Sequence, residues 1–303
     1  MRVGQDEGMT SPKVVALLSA PSAEAPGAGG PAVRIVPFDQ PILQALDLGA
    51  TRGDGVFETI SINAGRAQAL EPHLERLARS AAMLELPAPD LDAWRQAVFA
   101  VIEELESTDE SFAKLVYTRG VEGGDVPTGW VFAEPSADFT RARAEGIRVV
   151  TLDRGYPADI PSTAPWLLQG AKTLSYALNR AAVREAHRRD ADDVLFVSSD
   201  GVLLEGPTSS LLLRTGDVLS TPETSLGILA GTTQVDAFRF AESRGLETRY
   251  ERLGVDALES ADALWLVSSV RHAAPVRAVN GVERRIDATF TSELNAFLVG
   301  RRD

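Results

Sequence analysis

Only three of the chain's 30 basic residues are lysine: Lys13, Lys114 and Lys172. Arginine keeps its charge at any physiological pH, whereas lysine can release its proton and attack a carbonyl carbon. A lysine retained in so arginine-rich a chain is therefore a candidate nucleophile. Lys172 has the most telling surroundings. The apolar, glycine-containing run Pro165-Trp166-Leu167-Leu168-Gln169-Gly170-Ala171 leads into it, and a helical pattern follows. The plainer alternative is a helix-start lysine with a solvated head. Glu205 closes the apolar run Val202-Leu203-Leu204 just before Gly206-Pro207. It is either a solvated strand end or a half-buried carboxylate with a cationic partner. Gly231-Thr232-Thr233 opens a helical pattern, and free N–H groups at a helix start attract an anion. An ordinary threonine N-cap is the simpler reading there. Ser269 and Arg271 follow an apolar strand, Ala263-Leu264-Trp265-Leu266-Val267. Arg76 lies three residues after His73, so the two share one helix face. That face is either solvated or aims Arg76 at an anion in a cleft.

The elements that must position these residues are mixed. Residues 14–18 and 33–36 read as strands, separated by a Pro- and Gly-rich loop. Gly53-Asp54-Gly55 turns into a strand on which Val56, Glu58, Ile60 and Ile62 alternate. Residues 72–84 and 91–107 carry apolar residues at three- and four-residue spacing, the pattern of amphipathic helices. Strands follow near residues 112–118, 130–133 and 147–151. Residues 155–165 hold three prolines and no periodicity, which predicts a domain boundary. The expected organisation is a polar disordered tail over residues 1–12, an N-terminal α/β domain over 13–154, a linker over 155–165 and a C-terminal α/β domain over 166–303. In the second half, helices are expected at 175–189, 235–244, 256–260 and 290–299, with hairpins about Asp200-Gly201, Gly216-Asp217 and Asn280-Gly281.

Bulk properties narrow the function. Net charge is −13 and no Lys- or Arg-dense patch occurs, so nucleic acid is not an expected partner. With no cysteine and only three histidines, disulfides, thiol catalysis and a multi-histidine metal centre are not expected. No apolar run reaches the ~18 residues of a membrane span, and no signal-peptide core is seen at the N-terminus. A cytoplasmic location without membrane attachment is the expectation.

In order and spacing, several stretches are similar to the class IV aminotransferase family of pyridoxal-phosphate enzymes. They are Gly53-Asp54-Gly55-Val56-Phe57-Glu58, His73-Leu74-Glu75-Arg76-Leu77, Thr118-Arg119-Gly120, Lys172-Thr173-Leu174-Ser175-Tyr176, Leu204-Glu205-Gly206-Pro207-Thr208-Ser209, and Thr221-Pro222 with Gly227-Ile228-Leu229-Ala230-Gly231-Thr232-Thr233. The resemblance implies a two-domain α/β (α+β) chain of fold type IV with the cofactor, pyridoxal 5'-phosphate, in the cleft between the domains. It implies that Lys172 holds the cofactor covalently and then shuttles protons. Glu205 would keep the pyridine nitrogen protonated. Arg76, Gly231, Thr232, Thr233 and Ser269 would hold the phosphate, with Tyr176 near the phenolic oxygen. Phe57, Arg119, Val270 and Arg271 would face a small-molecule substrate, the arginines as carboxylate binders. A homodimer is also implied. Gln234 and Ser210 depart from the family's frequent Arg and Asn.

Within the family the chain looks most like aminodeoxychorismate lyases, which release pyruvate from 4-amino-4-deoxychorismate to leave 4-aminobenzoate for folate synthesis. An aminotransferase acting on D-amino or branched-chain amino acids is the alternative. A cofactor-binding relative without turnover is a further reading, against which the intact Lys172 and Glu205 weigh; a purely structural domain is the last, and a yellow purified protein would exclude it.

Overall fold

The computed structural model describes residues 13–18, 33–105 and 109–301. The expected N-terminal tail, the loop between the first two strands and the end of the helix expected to reach residue 107 lie outside the described residues.

The first sheet contains β1 (Val14–Leu18), β2 (Val33–Val36), β3 (Gly55–Asn63), β4 (Arg66–Ala67), β5 (Glu110–Thr118) and β6 (Thr128–Pro135). Their order is β2-β1-β6-β5-β3-β4 and every pairing is antiparallel. The short α1 (Leu48–Thr51) precedes β3. The longer α2 (Leu70–Met83) and α3 (Leu91–Glu104) cover one face of the sheet. Alternation along β3 and β5 turns Val56, Ile60, Ala113 and Leu115 toward Leu74, Leu77, Trp94 and Val98 of the helices. Burying each such large side chain contributes about 1.5–3 kcal/mol. Glu58 falls on this same apolar face and is fully buried. The opposite face carries Phe57 and Thr59 of β3 with Phe112, Lys114 and Val116 of β5.

The second sheet runs β11 (Glu247–Glu251), β10 (Val218–Pro222), β9 (Ser210–Thr215), β12 (Ala263–Ser268), β13 (His272–Val279), β7 (Ile147–Asp153) and β8 (Asp193–Val197), with β14 (Val282–Glu283) paired to β13. Helices α7 (Thr232–Ser243) and α9 (Ala288–Val299) pack on one side around Trp265, Phe238, Phe240 and Leu294. A second cluster, around Leu195, Leu211, Leu266 and Val276, fills the other side. The remaining helices are α4 (Thr140–Glu145), α5 (Ile160–Thr163), α6 (Ala177–Arg188) and α8 (Ala257–Ser260).

Strand β7, grouped with the N-terminal half on sequence, hydrogen-bonds in the second sheet between β13 and β8. The change of sheet therefore falls between Pro135 and Ile147, ahead of the Pro-rich stretch. Periodicity marks a strand but not its partners, which long-range pairing decides. The Pro-rich stretch itself forms α5 and a single 3₁₀ turn at Pro165–Leu167. No helix among the described residues is long and apolar enough to cross a membrane.

Candidate active site

Lys172 is stitched to the edge of β3. Its carbonyl accepts from Phe57 N–H at 3.0 Å, and Leu174 N–H donates to the Gly55 carbonyl at 2.9 Å. Its own N–H donates to Ser80 Oγ of α2 at 3.1 Å. The close approach requires glycine at 55: a Cβ there would lie 2.7 Å from the Tyr117 carbonyl oxygen and 2.8 Å from Leu174 Cδ1. Lys172 thus enters from the C-terminal half but is positioned by the N-terminal sheet. Its Nζ stands 4.4 Å from the centroid of the Phe57 ring. Burial, and then the nearby Arg76 guanidinium, push its pKa down to about 8, against the opposing pull of Glu58 and Glu205.

Glu205 is held by the hairpin back from β8. Phe196 N–H donates to the Glu205 carbonyl at 2.9 Å, and Leu204 N–H donates to the Phe196 carbonyl at 3.0 Å. Burial raises its carboxyl pKa to about 7, opposed by the Leu229 N–H and by the charges of Arg154, Lys172 and Arg76. Arg154 lies 4.3 Å over the Phe196 ring and donates from Nε to the Tyr156 hydroxyl at 2.8 Å.

Within electrostatic reach of both groups is a buried knot of charges around Arg76. Arg76 donates from Nε to Glu58 Oε1 at 2.7 Å and from Nη2 to Oε2 at 2.8 Å; its Nη1 donates to the Ala230 carbonyl at 2.8 Å. One guanidinium therefore joins β3, α2 and the start of α7. His73 Nδ1 lies 2.7 Å from Glu58 Oε2. Burial would raise the Glu58 pKa, but Arg76, aided by His73, holds it well below the usual carboxylate range. Burial holds His73 below its ordinary value despite Glu58. The neutral ring then donates from Nδ1 to Glu58, which leaves Nε2 as an acceptor. Both Thr232 Oγ1, at 3.2 Å, and Ser269 Oγ, at 3.1 Å, face that nitrogen. Its single lone pair takes one hydroxyl proton, so the other hydroxyl is free to donate to an anion.

The start of α7 completes the cradle. Its N-cap is Gly231, with no side-chain cap. The threonine N-cap therefore does not occur, and both threonines lie inside the first turn. Thr233 Oγ1 is buried with no partner among the described residues. A Cβ at Gly231 would fall 2.3 Å from Ser210 Oγ, so the small residue keeps this space open. An orphaned hydroxyl, an uncapped helix N-terminus and an adjacent guanidinium fit a phosphate group.

Arg76, Gly231, Thr232, Thr233 and Ser269 are thus brought together around His73 and the α7 start, and Lys172 meets Phe57. Tyr176 packs edge-on against Phe57, centroids 5.5 Å apart, and its hydroxyl donates to the Pro207 carbonyl. The two arginines expected at substrate both carry ion pairs, and Arg271 in addition leaves Nε and Nη2 buried without a partner among the described residues. Arg119 donates from Nε to Asp54 Oδ2 at 2.6 Å and from Nη2 to the Leu84 carbonyl at 2.6 Å. Arg271 Nη1 pairs with Asp193 Oδ2 at 2.8 Å. The Val270 carbonyl accepts from Arg143 Nη2 at 3.1 Å. Sequence reasoning overlooked Glu58, Ser80 and Arg154 beside these groups, and Lys114, whose Nζ lies 4.7 Å from the Phe57 ring centroid. A carboxylate on the apolar register of β3 signalled Glu58, and lysine scarcity applied equally to Lys114. Nothing local marked Arg154.

Comparison with known proteins accords with this geometry. The sequence profile of the family described as amino-transferase class IV matches residues 55–279. A bifunctional aminodeoxychorismate lyase / D-amino acid transaminase from Mycobacterium tuberculosis is 45% identical over 269 residues, spanning 86% of this chain and 92% of that protein. A solved fold IV transaminase from Curtobacterium pusillum superposes with a TM-score of 0.90 at 53% identity, covering 95% of this chain and 97% of its own. The PLP-bound form of a hypothetical aminotransferase from Mycobacterium tuberculosis gives a TM-score of 0.85 at 43% identity, covering 89% and 97%. The chain belongs to the class IV aminotransferase family, and its fold is that of the fold type IV enzymes.

Proposed function

We propose that the chain is a pyridoxal-phosphate enzyme that eliminates pyruvate from 4-amino-4-deoxychorismate to give 4-aminobenzoate. The observation that carries the cofactor chemistry is a depressed amine, Lys172, and a raised carboxyl, Glu205, each within electrostatic reach of the other and of Arg76, which bonds to Ala230 at the anion cradle. When bound, pyridoxal phosphate supplies an aldehyde that condenses with a primary amine and a protonated pyridine ring that withdraws electrons from the adjacent carbon.

This chain's residues do the rest. Arg76, the α7 N-terminus, Thr233 and a Thr232 or Ser269 hydroxyl hold the phosphate. Lys172 Nζ, half deprotonated near pH 8, is available as the condensing amine and then as carrier of the proton beside the substrate amine. Glu205 would be the carboxylate that faces the cofactor's ring nitrogen and keeps it protonated. Phe57 and Tyr176 pack edge-on beside Lys172. The lyase reading is supported by the name of the 45% identical relative. The same name supports D-amino acid transamination as a second activity of the same site, and the transaminase structure at 53% identity adds to it. A cytoplasmic homodimer belongs to the same reading.

The test is incubation with 4-amino-4-deoxychorismate, following 4-aminobenzoate and pyruvate together, with Lys172→Ala as control. Equal amounts of both products, absent in the variant, are expected. A yellow protein that forms neither product but aminates its cofactor with D-alanine would transfer the assignment to the transaminase alone.

A further inference from the structure

Two of the three lysines, not one, stand over the same aromatic ring. Lys114 Nζ lies 4.7 Å from the Phe57 centroid and Lys172 Nζ 4.4 Å from it. Their separation is therefore no greater than the sum of these two distances. The sheet register explains the placement. Thr59 pairs with Lys114 and Phe57 with Val116, so Lys114 is the diagonal neighbour of Phe57 on the face away from α2 and α3. Directly across on β6 is Phe132.

Lys114 is half-buried, and burial pushes its pKa down. It makes no ion pair among the described residues, in contrast to the arginines considered for substrate or phosphate binding. Arg119 has Asp54, Arg271 has Asp193 and Arg76 has Glu58. Glu58, although near the site, is already saturated by Arg76 and His73. A partly desolvated ammonium over one ring face, with a second lysine near it and no ion-pair partner among the described residues, gains from an incoming anion. In a chain of net charge −13, it also marks the spot where an anionic ligand meets attraction rather than repulsion.

We propose that Lys114 is a specificity residue of this site, its ammonium group taking a substrate carboxylate remote from the reacting amine. The proposal rests on the pyridoxal-phosphate reading above and deepens it. The favoured substrates are amines that carry such a remote carboxylate, with the amine at Lys172 and the carboxylate at Lys114. 4-Amino-4-deoxychorismate, whose carboxylates are both remote from its amine, meets this requirement. Among simple donors, D-glutamate meets it and D-alanine does not. Lys114 is then a binding group, and the proton transfers remain with Lys172.

The experiment compares wild-type holoenzyme with Lys114→Met, Lys114→Gln and Lys114→Arg. Binding of glutarate and of butyrate is measured by calorimetry, and half-reactions with D-glutamate and D-alanine are followed by cofactor absorbance. Wild type is expected to bind glutarate about 10- to 100-fold more tightly than butyrate, the scale of one charge-assisted hydrogen bond. Met and Gln should erase that preference while leaving butyrate binding and the D-alanine half-reaction within about threefold; Arg should retain it. Glutarate binding unchanged by Met and Gln would overturn the proposal, as would equal weakening of both acids. The cofactor reading is scored separately. A cofactor band present in wild type and absent in Lys172→Ala supports it, whatever the acids do; a wild type that forms no such band overturns it and the Lys114 proposal together.

Discussion

Two charged regions lie side by side in this molecule and behave in opposite ways. The Glu58–His73–Arg76 knot is almost wholly buried, and both carboxylate oxygens of Glu58 are hydrogen-bonded within it. Lys172 and Glu205 are each half-buried, and among the described residues neither has a bonded counter-ion. In the knot, attraction outweighs burial, and Glu58 keeps its charge far into acid. At the pair, burial wins, and an amine and a carboxyl both drift toward neutrality at ordinary pH. A satisfied network is rigid and positions its neighbours, whereas groups held near neutrality can exchange protons.

Breaking the reactive side should have the largest effect. Lys172→Ala is expected to lower turnover by about 10⁴-fold or more, the scale of losing a nucleophile, with the fold intact by circular dichroism. Next comes the scaffold. Glu58→Gln leaves a buried guanidinium uncompensated and should cost about 3–5 kcal/mol of stability in denaturant titrations. The depressed Glu58 pKa adds a pH signature. Its stabilisation is present above the unfolded value of 4.5 and is lost as pH falls below it, so acid unfolding should begin earlier in wild type than in a variant whose knot is apolar.

Glu205→Gln should retain cofactor but lose about 10²- to 10³-fold in turnover, as for removal of one preorganised electrostatic group. Thr233→Val should weaken inorganic phosphate and cofactor binding by about tenfold, yet leave the stability of the apoprotein unchanged or raised, because the hydroxyl it removes has no partner there. A melting temperature that falls with this variant would show that the hydroxyl is structural.

The smallest effect sharpens the contrast most. Lys172 has a folded pKa near 8 against an unfolded 10.5, so its charge opposes folding. The cost is fully present below pH 8 and disappears as pH rises through 10.5. Lys172→Met should therefore raise the apoprotein's melting temperature at pH 7, with the gain shrinking toward pH 10.5. A lower melting temperature at pH 7 would place Lys172 with the scaffold.

Local spacing made much of this legible. The amphipathic repeats of α2 and α3, the Gly231 start of α7, the rarity of lysine and the place of Glu205 after an apolar run all lie within short windows of sequence. The mixed α/β class and the positions singled out at Lys172, Glu205 and the α7 start followed from them. The assignment of β7 to the second sheet did not, because its partners β13 and β8 lie far along the chain. Nor did the fate of the arginines. Arg119 and Arg271 look available in sequence, and each is taken by an aspartate that only folding brings near.

The sequence by itself determined which chemistries were possible: a lone type of nucleophilic amine, a carboxylate at a strand end, small residues at a helix start, no thiol and few imidazoles. The tertiary structure decided which charges were spent and which remained. It saturated Glu58 with Arg76 and His73, left Lys114 and Lys172 over one phenyl ring, and drew Glu205 to the Leu229 amide. Residue type fixes what a group can do, but its charge state and freedom depend on burial and on neighbours distant in sequence. Those belong to the folded chain alone.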